Sequence, residues 1–162
     1  MEITIFQKIK EEIKSHGLSI DSFDFERPWG GFFVIKEEQS QEFANVYFEG
    51  LNVDNLKLSG KLSPKILLVK PSARLSWQYH HRRAETWKVL EGPVGIVKSF
   101  DNAELDMNKF QKGEIIILQK GERHRLIGLD NWGVVAEFWQ HTDATHPSNE
   151  EDIVRVQDDY AR

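Results

Sequence analysis

The sequence predicts an all-β fold of the sandwich, jelly-roll or barrel type, preceded by one helix. Nine short segments are rich in β-branched and aromatic residues, and turn residues such as Gly, Pro, Asn and Asp separate many of them. Short strands with such turns between them are typical of antiparallel sandwiches and barrels. The nine expected strands are residues 32–36, 43–49, 65–70, 74–79, 84–90, 94–100, 114–118, 123–128 and 134–140.

The helix is expected over residues 4–16. Thr4 and Gln7 have the spacing of a capping box, apolar residues recur at helical intervals, and Gly17 is a natural stop. We expect the apolar stripe of this helix to pack on the outside of the barrel, with docking to a partner as the alternative. At the other end of the chain, residues 141–162 are polar and carry one further short strand at 153–156.

Composition narrows the class of protein. The 162 residues contain 21 Lys and Arg against 26 Asp and Glu, a net charge of −5, and no cysteine. This length fits a single domain over residues 1–162, with residues 1–25 as an N-terminal helical arm. The lack of cysteine excludes disulfides, thiol nucleophiles and zinc ribbons. Acidic charge and short apolar runs argue against nucleic-acid or membrane partners, and no signal-peptide pattern occurs, so we expect a cytoplasmic protein.

Metal-ligating side chains cluster in the middle of the sequence. Gln78 and His80 are two residues apart, so they share one face of a strand. Glu85 opens the next strand after a short break, and His124 lies on a third. Two imidazoles, a carboxylate and an amide oxygen can therefore converge inside a barrel, and this set suits a divalent metal. The alternative is a buried His–Glu hydrogen bond without a metal.

Two segments resemble the sequence motifs of the cupin superfamily. The first resembles Gly-x5-His-x-His-x4-Glu-x6-Gly, with Ser72 in place of the first Gly and Gln78 in place of the first His. The second resembles Gly-x5-Pro-x-Gly-x2-His-x3-Asn, with Gln119 in place of Pro and Gly128 in place of Asn. The resemblance implies a cupin double-stranded β-helix, which is a small jelly-roll barrel, with a metal ion in its mouth.

Within that superfamily, the chain most resembles the cupin mannose-6-phosphate isomerases of type II. The similar stretches are residues 26–30, 76–87, 122–126 and 151–155. Gln-x-His in place of His-x-His is usual in that family. The resemblance implies a sugar-phosphate aldose–ketose isomerase with one divalent ion, zinc or else iron, manganese or nickel. The implied ligands are Gln78, His80, Glu85 and His124.

An isomerase also needs groups that move a proton and groups that bind phosphate. His81 titrates near neutral pH, and Glu137 lies on an expected strand, so both are candidates for proton transfer. Arg155 lies in a stretch similar to one in which zinc mannose-6-phosphate isomerases carry an active-site Arg. It can bind phosphate or stabilise an enediolate, and a surface ion pair is the alternative. The further phosphate candidates are Arg27, Arg83 and Arg125.

Other functions stay open at this point. The resemblance is compatible with a cupin dioxygenase, or with a sugar-binding or regulatory cupin that catalyses nothing, because one fold hosts many activities. The expected small-molecule partner is a sugar phosphate. Exposed sheets and the helix also leave a homodimer open.

Overall fold

The computed structural model describes residues 4–55, 62–141, 145, 148–149 and 151–159. Within these ranges the chain contains two α-helices and eleven strands, with short 3-10 turns at Glu37–Gln39 and Val53–Asn55. The helices are α1 (Ile5–Ser15) and α2 (Ser40–Tyr47). The strands are β1 (Ile20–Arg27), β2 (Gly30–Ile35), β3 (Lys65–Val69), β4 (Trp77–Tyr79), β5 (Arg83–Glu91), β6 (Val94–Ser99), β7 (Asn108–Phe110), β8 (Ile115–Leu118), β9 (Arg123–Gly128), β10 (Gly133–His141) and β11 (Val154–Gln157).

The strands form two antiparallel sheets that pack on each other. The larger sheet has the order β1-β2-β3-β10-β5-β8, and the smaller has the order β11-β4-β9-β6-β7. Apolar side chains of both sheets fill the space between them, among them Trp87 and Val135 from the larger sheet and Ile96 and Leu126 from the smaller. This arrangement confirms the expected all-β jelly roll with an N-terminal helix.

Helix α1 packs on the outside of the barrel, as its pattern predicts. The side chain of Thr4 accepts a hydrogen bond from the backbone N–H of Gln7, and the side-chain oxygen of Gln7 accepts one from the backbone N–H of Thr4, which completes the capping box. Ile9 and Ile13 are buried in an apolar cluster that also contains residues of β2, β3 and β10. Neither described helix is both long and apolar enough to span a bilayer.

Truncation of Ile13 tests this packing. Ile13 is fully buried, so Ile13→Ala should lower the free energy of unfolding by about 2–5 kcal/mol, the usual cost of emptying a core site. Glu11→Ala on the exposed face of the same helix is the matched control and should change stability by less than about 0.5 kcal/mol. Urea denaturation measures both. Equal effects of the two changes would mean that α1 is not docked.

The expected strand at 43–49 is wrong, because this segment forms α2 and the turn that follows it. Phe43, Ala44 and Tyr47 are all buried. Their spacing of one, three and four residues places them on one face of a helix, which packs against the same cluster as α1. Aromatic and β-branched residues in this stretch imitate a strand in composition, but their burial follows the helical period.

Two strands lie outside the sequence prediction. Strand β7 is short, and β1 is an edge strand with a largely exposed face, so neither has a clear alternating pattern. Residues 20–25 of the expected N-terminal arm belong to β1, and residues 1–3 lie outside the described ranges. Gly30, after the β1–β2 turn, has a φ of 144°, and a Cβ there would stand 2.0 Å from the carbonyl oxygen of Leu68, so only glycine fits.

Candidate metal centre

A cavity of about 170 Å³ opens between the two sheets. Trp29, Phe32 and Trp87 form part of its apolar wall. The charged side chains that line it are Arg27, Lys65, Arg83, Glu85, Glu137 and Arg155. Four cations therefore surround two carboxyl groups, which makes the cavity suitable for an anionic ligand.

Strands from both sheets carry the expected metal ligands to this cavity. Gln78 on β4 lies directly across from His124 on β9 in the smaller sheet. His80 follows β4, and Glu85 lies on β5 in the larger sheet. Gln78, His80 and Glu85 line the cavity itself, and His124 is buried beside Glu85. The four residues thus meet where the sheets face each other.

Three of these side chains form a compact buried cluster. His80 Nε2 lies 2.9 Å from Glu85 Oε1, and His124 Nε2 lies 3.8 Å from Glu85 Oε2. One potential ligand atom from each residue lies within 4.8 Å of the others, and each residue is at most 3% exposed. Gln78 is less buried, and its Oε1 accepts a hydrogen bond of 3.0 Å from the Ser76 hydroxyl.

Backbone carbonyls fix the orientation of both imidazoles. His80 Nδ1 lies 2.6 Å from the carbonyl oxygen of Asp152, and His124 Nδ1 lies 3.2 Å from that of Glu122. A carbonyl only accepts hydrogen bonds, so each Nδ1 carries a proton. With Nδ1 held in this way, Nε2 of each ring faces Glu85, which is the arrangement common among metal-binding histidines.

His124 Nε2 is a buried nitrogen that no described hydrogen-bond donor reaches. Burial lowers the pKa of His124 to about 4 against the opposing effect of Glu85, so the ring is neutral near pH 7. A buried lone pair without a donor is costly, and a cation between the imidazoles and the carboxylate would satisfy it. The donor set of His80, Glu85 and His124 fits a divalent ion such as zinc, with Gln78 as a further oxygen ligand.

Glu85 is held as a carboxylate. Burial favours its neutral form, but His80 and Arg83 outweigh this effect and keep the pKa of Glu85 well below its usual value. Arg83 Nη2 lies 3.1 Å from Glu85 Oε1, and Trp87 Nε1 donates to Oε2 over 3.1 Å. The guanidinium of Arg83 also stacks 3.6 Å above the Trp139 ring. The Arg83 guanidinium is thus engaged in contacts with Glu85 and Trp139.

Glu137 is a second buried carboxyl group in the same cavity. It is 5% exposed and hydrogen-bonded to Glu85. Burial and the charge of Glu85 raise its pKa well above the usual value, in spite of nearby Lys65 and Arg83. Of the two carboxyl groups, Glu137 is therefore the one that holds a proton more readily.

The remaining expected site residues fall into two groups. Arg27 and Arg155 line the cavity, and Arg155 lies across from Gln78 in the β4–β11 pairing. His81 is exposed, with its ring against Tyr79 at 5.2 Å, and it is not part of the cavity lining. Arg125 is fully buried and lies outside the lining. Its guanidinium donates to Leu75 O, Glu104 Oε1 and the side chain of Gln157.

Two residues of the site lie outside the sequence prediction. Lys65 begins the otherwise apolar strand β3, and its Nζ lies 4.9 Å from the Trp139 ring centroid. A lone lysine at the start of an apolar strand is the signal that points to it. The carbonyl oxygen of Asp152 accepts the hydrogen bond from His80, whereas the sequence predicts a functional role only for Arg155 in this stretch.

The jelly roll with a His–Glu–His cluster in its interior defines a cupin. The chain belongs to the family described as mannose-6-phosphate isomerase C-terminal, whose model matches residues 36–158. This match confirms the resemblance inferred from the cupin motifs.

The xanthan biosynthesis protein XanB of Xanthomonas campestris is 28% identical over 161 residues, which is 96% of this chain and 28% of XanB. The alginate biosynthesis protein AlgA of Pseudomonas aeruginosa is 31% identical over 76% of this chain and 24% of AlgA. The chain thus spans about a quarter of the length of these relatives. The capsular polysaccharide assembling protein CapF of Staphylococcus aureus shares the fold, with a TM-score of 0.56 at 16% identity over 86% of this chain and 34% of CapF.

Proposed function

We propose that this protein is a metal-dependent aldose–ketose isomerase that acts on a sugar phosphate of the mannose 6-phosphate type. The observation that carries the proposal is the cluster of His80, Glu85 and His124 beside a cavity with a basic lining. Family membership and two relatives from polysaccharide biosynthesis support the choice of a sugar phosphate. The cysteine-free sequence is in keeping with a cytoplasmic setting, and a homodimer stays a prediction.

Gln78, His80, Glu85 and His124 are the residues that would hold the divalent ion. Zinc suits two imidazoles with oxygen donors, and iron, manganese or nickel are alternatives. When bound, such an ion polarises the oxygens of the sugar and so makes the neighbouring C–H more acidic.

Glu137 is our candidate for moving the proton between adjacent carbons of the sugar. It is the carboxyl group that lines the cavity next to the proposed ligand Glu85, and it lies across from Lys65 in the β3–β10 pairing. A positioned carboxyl group of this kind accelerates proton transfer by about 10²–10⁴-fold. We prefer Glu137 to His81 because the exposed His81 ring lies outside the cavity lining.

Arg27, Lys65 and Arg155 are our candidates for the phosphate end of the substrate. The Arg27 guanidinium and the Lys65 ammonium lie 5.6 Å and 5.9 Å from the centroid of the same Phe32 ring, so both cations lie near the part of the cavity wall that Phe32 forms. Arg83 is less suitable because its guanidinium contacts the proposed ligand Glu85, and Arg125 because it does not line the cavity.

Arg155→Ala should weaken the use of phosphorylated sugars selectively. A charge-assisted hydrogen bond contributes about 1.5–3 kcal/mol, so kcat/KM for mannose 6-phosphate should fall about tenfold to a hundredfold. The Kd of unphosphorylated mannose, measured by calorimetry, should not change. Arg155→Lys keeps the charge and should retain most of the affinity for the phosphorylated sugar. An equal loss for both sugars would remove Arg155 from phosphate binding.

The activity itself can be tested by a direct assay. Protein loaded separately with zinc, iron(II), manganese or nickel is incubated with mannose 6-phosphate without oxygen, and fructose 6-phosphate is measured. Chelation of the metal should stop the reaction, and its return should restore it. Oxygen consumption by the iron(II) form, without isomerisation, would favour the dioxygenase alternative.

One observation favours a second candidate, a sugar-binding protein that catalyses nothing. The Arg83 guanidinium already compensates the charge of Glu85, so the buried carboxylate has a cationic partner from the protein itself. In that case mannose 6-phosphate would bind but would not be converted under any metal loading.

A further inference from the structure

The residue that anchors His80 lies far along the chain, in the segment before β11. Asp152 is 3% exposed, and its carbonyl oxygen accepts the hydrogen bond from His80 Nδ1. Its carboxylate accepts from the backbone N–H groups of His81 and Arg82, both at 2.9 Å, and from the Ser148 hydroxyl at 2.6 Å. Asp152 therefore binds both the imidazole ring and the backbone that follows it.

We infer that Asp152 is a positioning residue that sets the tautomer and orientation of His80 and so prepares His80 Nε2 to bind a metal ion. The carboxylate holds the backbone of the β4–β5 turn at a fixed place relative to residue 152. The carbonyl oxygen of residue 152 then meets the imidazole ring at hydrogen-bond distance. The role of the metal rests on the proposed function, whereas the tautomer of His80 does not.

The same short segment also holds Arg83, the neighbour of Glu85. Arg83 Nη1 donates to the carbonyl oxygen of Asn149 over 3.0 Å and lies 3.3 Å from the Ser148 hydroxyl. The hydroxyl in turn donates to Asp152. Ser148, Asn149 and Asp152 thus hold two side chains, those of His80 and Arg83, that both contact the carboxylate oxygen Oε1 of Glu85.

Removal of the Asp152 carboxylate should release the ring. Asp152→Ala leaves the backbone N–H groups of His81 and Arg82 without their acceptors, so the turn shifts to find water or other partners. The carbonyl of residue 152 then no longer meets His80 Nδ1 at a fixed distance. A ring without this contact can keep its only proton on Nε2, which lies 2.9 Å from Glu85 Oε1, and that proton must leave before Nε2 can bind a metal ion.

The tautomer can be read directly by long-range ¹H–¹⁵N NMR of the imidazoles, in metal-free protein at mildly alkaline pH. In the unmodified protein His80 Nδ1 should carry a proton, because it lies 2.6 Å from the carbonyl oxygen of Asp152. In Asp152→Ala the proton should be shared between Nδ1 and Nε2 across the population of rings, and the zinc affinity measured by competition with a chelator should fall about tenfold to a hundredfold, as for other residues that orient a metal ligand. Asp159→Ala, which breaks the exposed ion pair with Arg74, is the matched control and should change neither quantity.

Asp152→Asn keeps the shape of the side chain and one acceptor oxygen. This variant tests the inference if the Asp152→Ala protein does not fold. It should shift the tautomer in the same direction by a smaller amount. A folded Asp152→Ala or Asp152→Asn protein with His80 still in the Nδ1–H form, and with unchanged zinc affinity, would overturn the inference. A protein that never isomerises a sugar phosphate, but shows the tautomer shift, would contradict only the proposed function.

Discussion

His124→Ala should lower the affinity for zinc by more than about a hundredfold and remove all turnover. Loss of a residue that merely orients a metal ligand costs up to about a hundredfold, and His124 would be a ligand itself. Its Nε2 has no hydrogen-bond donor among the described residues, so the expected loss falls on metal binding. Removal of this buried nitrogen also relieves an unpaired polar atom, which offsets part of the lost packing against Trp87.

The matched control for His124→Ala is His81→Ala. His81 is an exposed histidine next to the proposed ligand His80, so its loss removes an imidazole without touching the cluster. Metal content by elemental analysis after equilibration with buffered zinc, together with circular dichroism, separates loss of metal from loss of fold. A folded His124→Ala protein that still binds one zinc ion with unchanged affinity would refute the proposed centre.

Glu137→Gln should lower kcat by about 10²–10⁴-fold and leave metal content unchanged. Glutamine has the size of glutamic acid, and its amide can still donate a hydrogen bond to Glu85, so the buried contact survives. It cannot accept a proton from a sugar carbon or return one. The expected result is therefore a loaded and folded protein that binds mannose 6-phosphate without converting it.

Exchange of the substrate proton with solvent gives a second test of whether Glu137 transfers the proton. In deuterated water the unmodified protein should introduce deuterium at the carbon next to the carbonyl group, and Glu137→Gln should not. Glu91→Gln is the control, because Glu91 lies at the far end of β5 from Glu85, its carboxylate pairs with Lys8, and it does not line the cavity. Exchange by Glu137→Gln at the unmodified rate would assign proton transfer to another residue.

Much of the fold follows from local sequence because its signals are local. The capping box at Thr4 and the period of Ile9 and Ile13 specify α1 within one stretch of chain. Alternation and turn residues do the same for most strands. The strand prediction for the segment that forms α2 was wrong because its aromatic residues favour strands when they are considered alone. The residues of β3 and β10 that pack against this helix are distant in sequence, so no local pattern shows them.

The proposed metal ligands could be predicted because they lie within two sequence motifs. The partners of the charged side chains could not be predicted, because many of them are distant in sequence. The parity of Gln78 and His80 places both on one strand face, and the second motif supplies His124. No local sequence pattern shows which arginines form hydrogen bonds with residues that are distant in the chain. Arg125 meets Leu75, 50 residues away, and Arg83 meets Asn149, 66 residues away. These contacts become visible only when the sheets are assembled.

The contact between His80 and Asp152 joins residues that are 72 positions apart. During translation the imidazole therefore leaves the ribosome long before its anchor does. A nascent chain that has completed β4 and β5 but not residue 152 presents the histidine in either tautomer and without a fixed direction. Ordered metal capture by His80 should thus wait until residue 152 has been synthesised and has reached the imidazole.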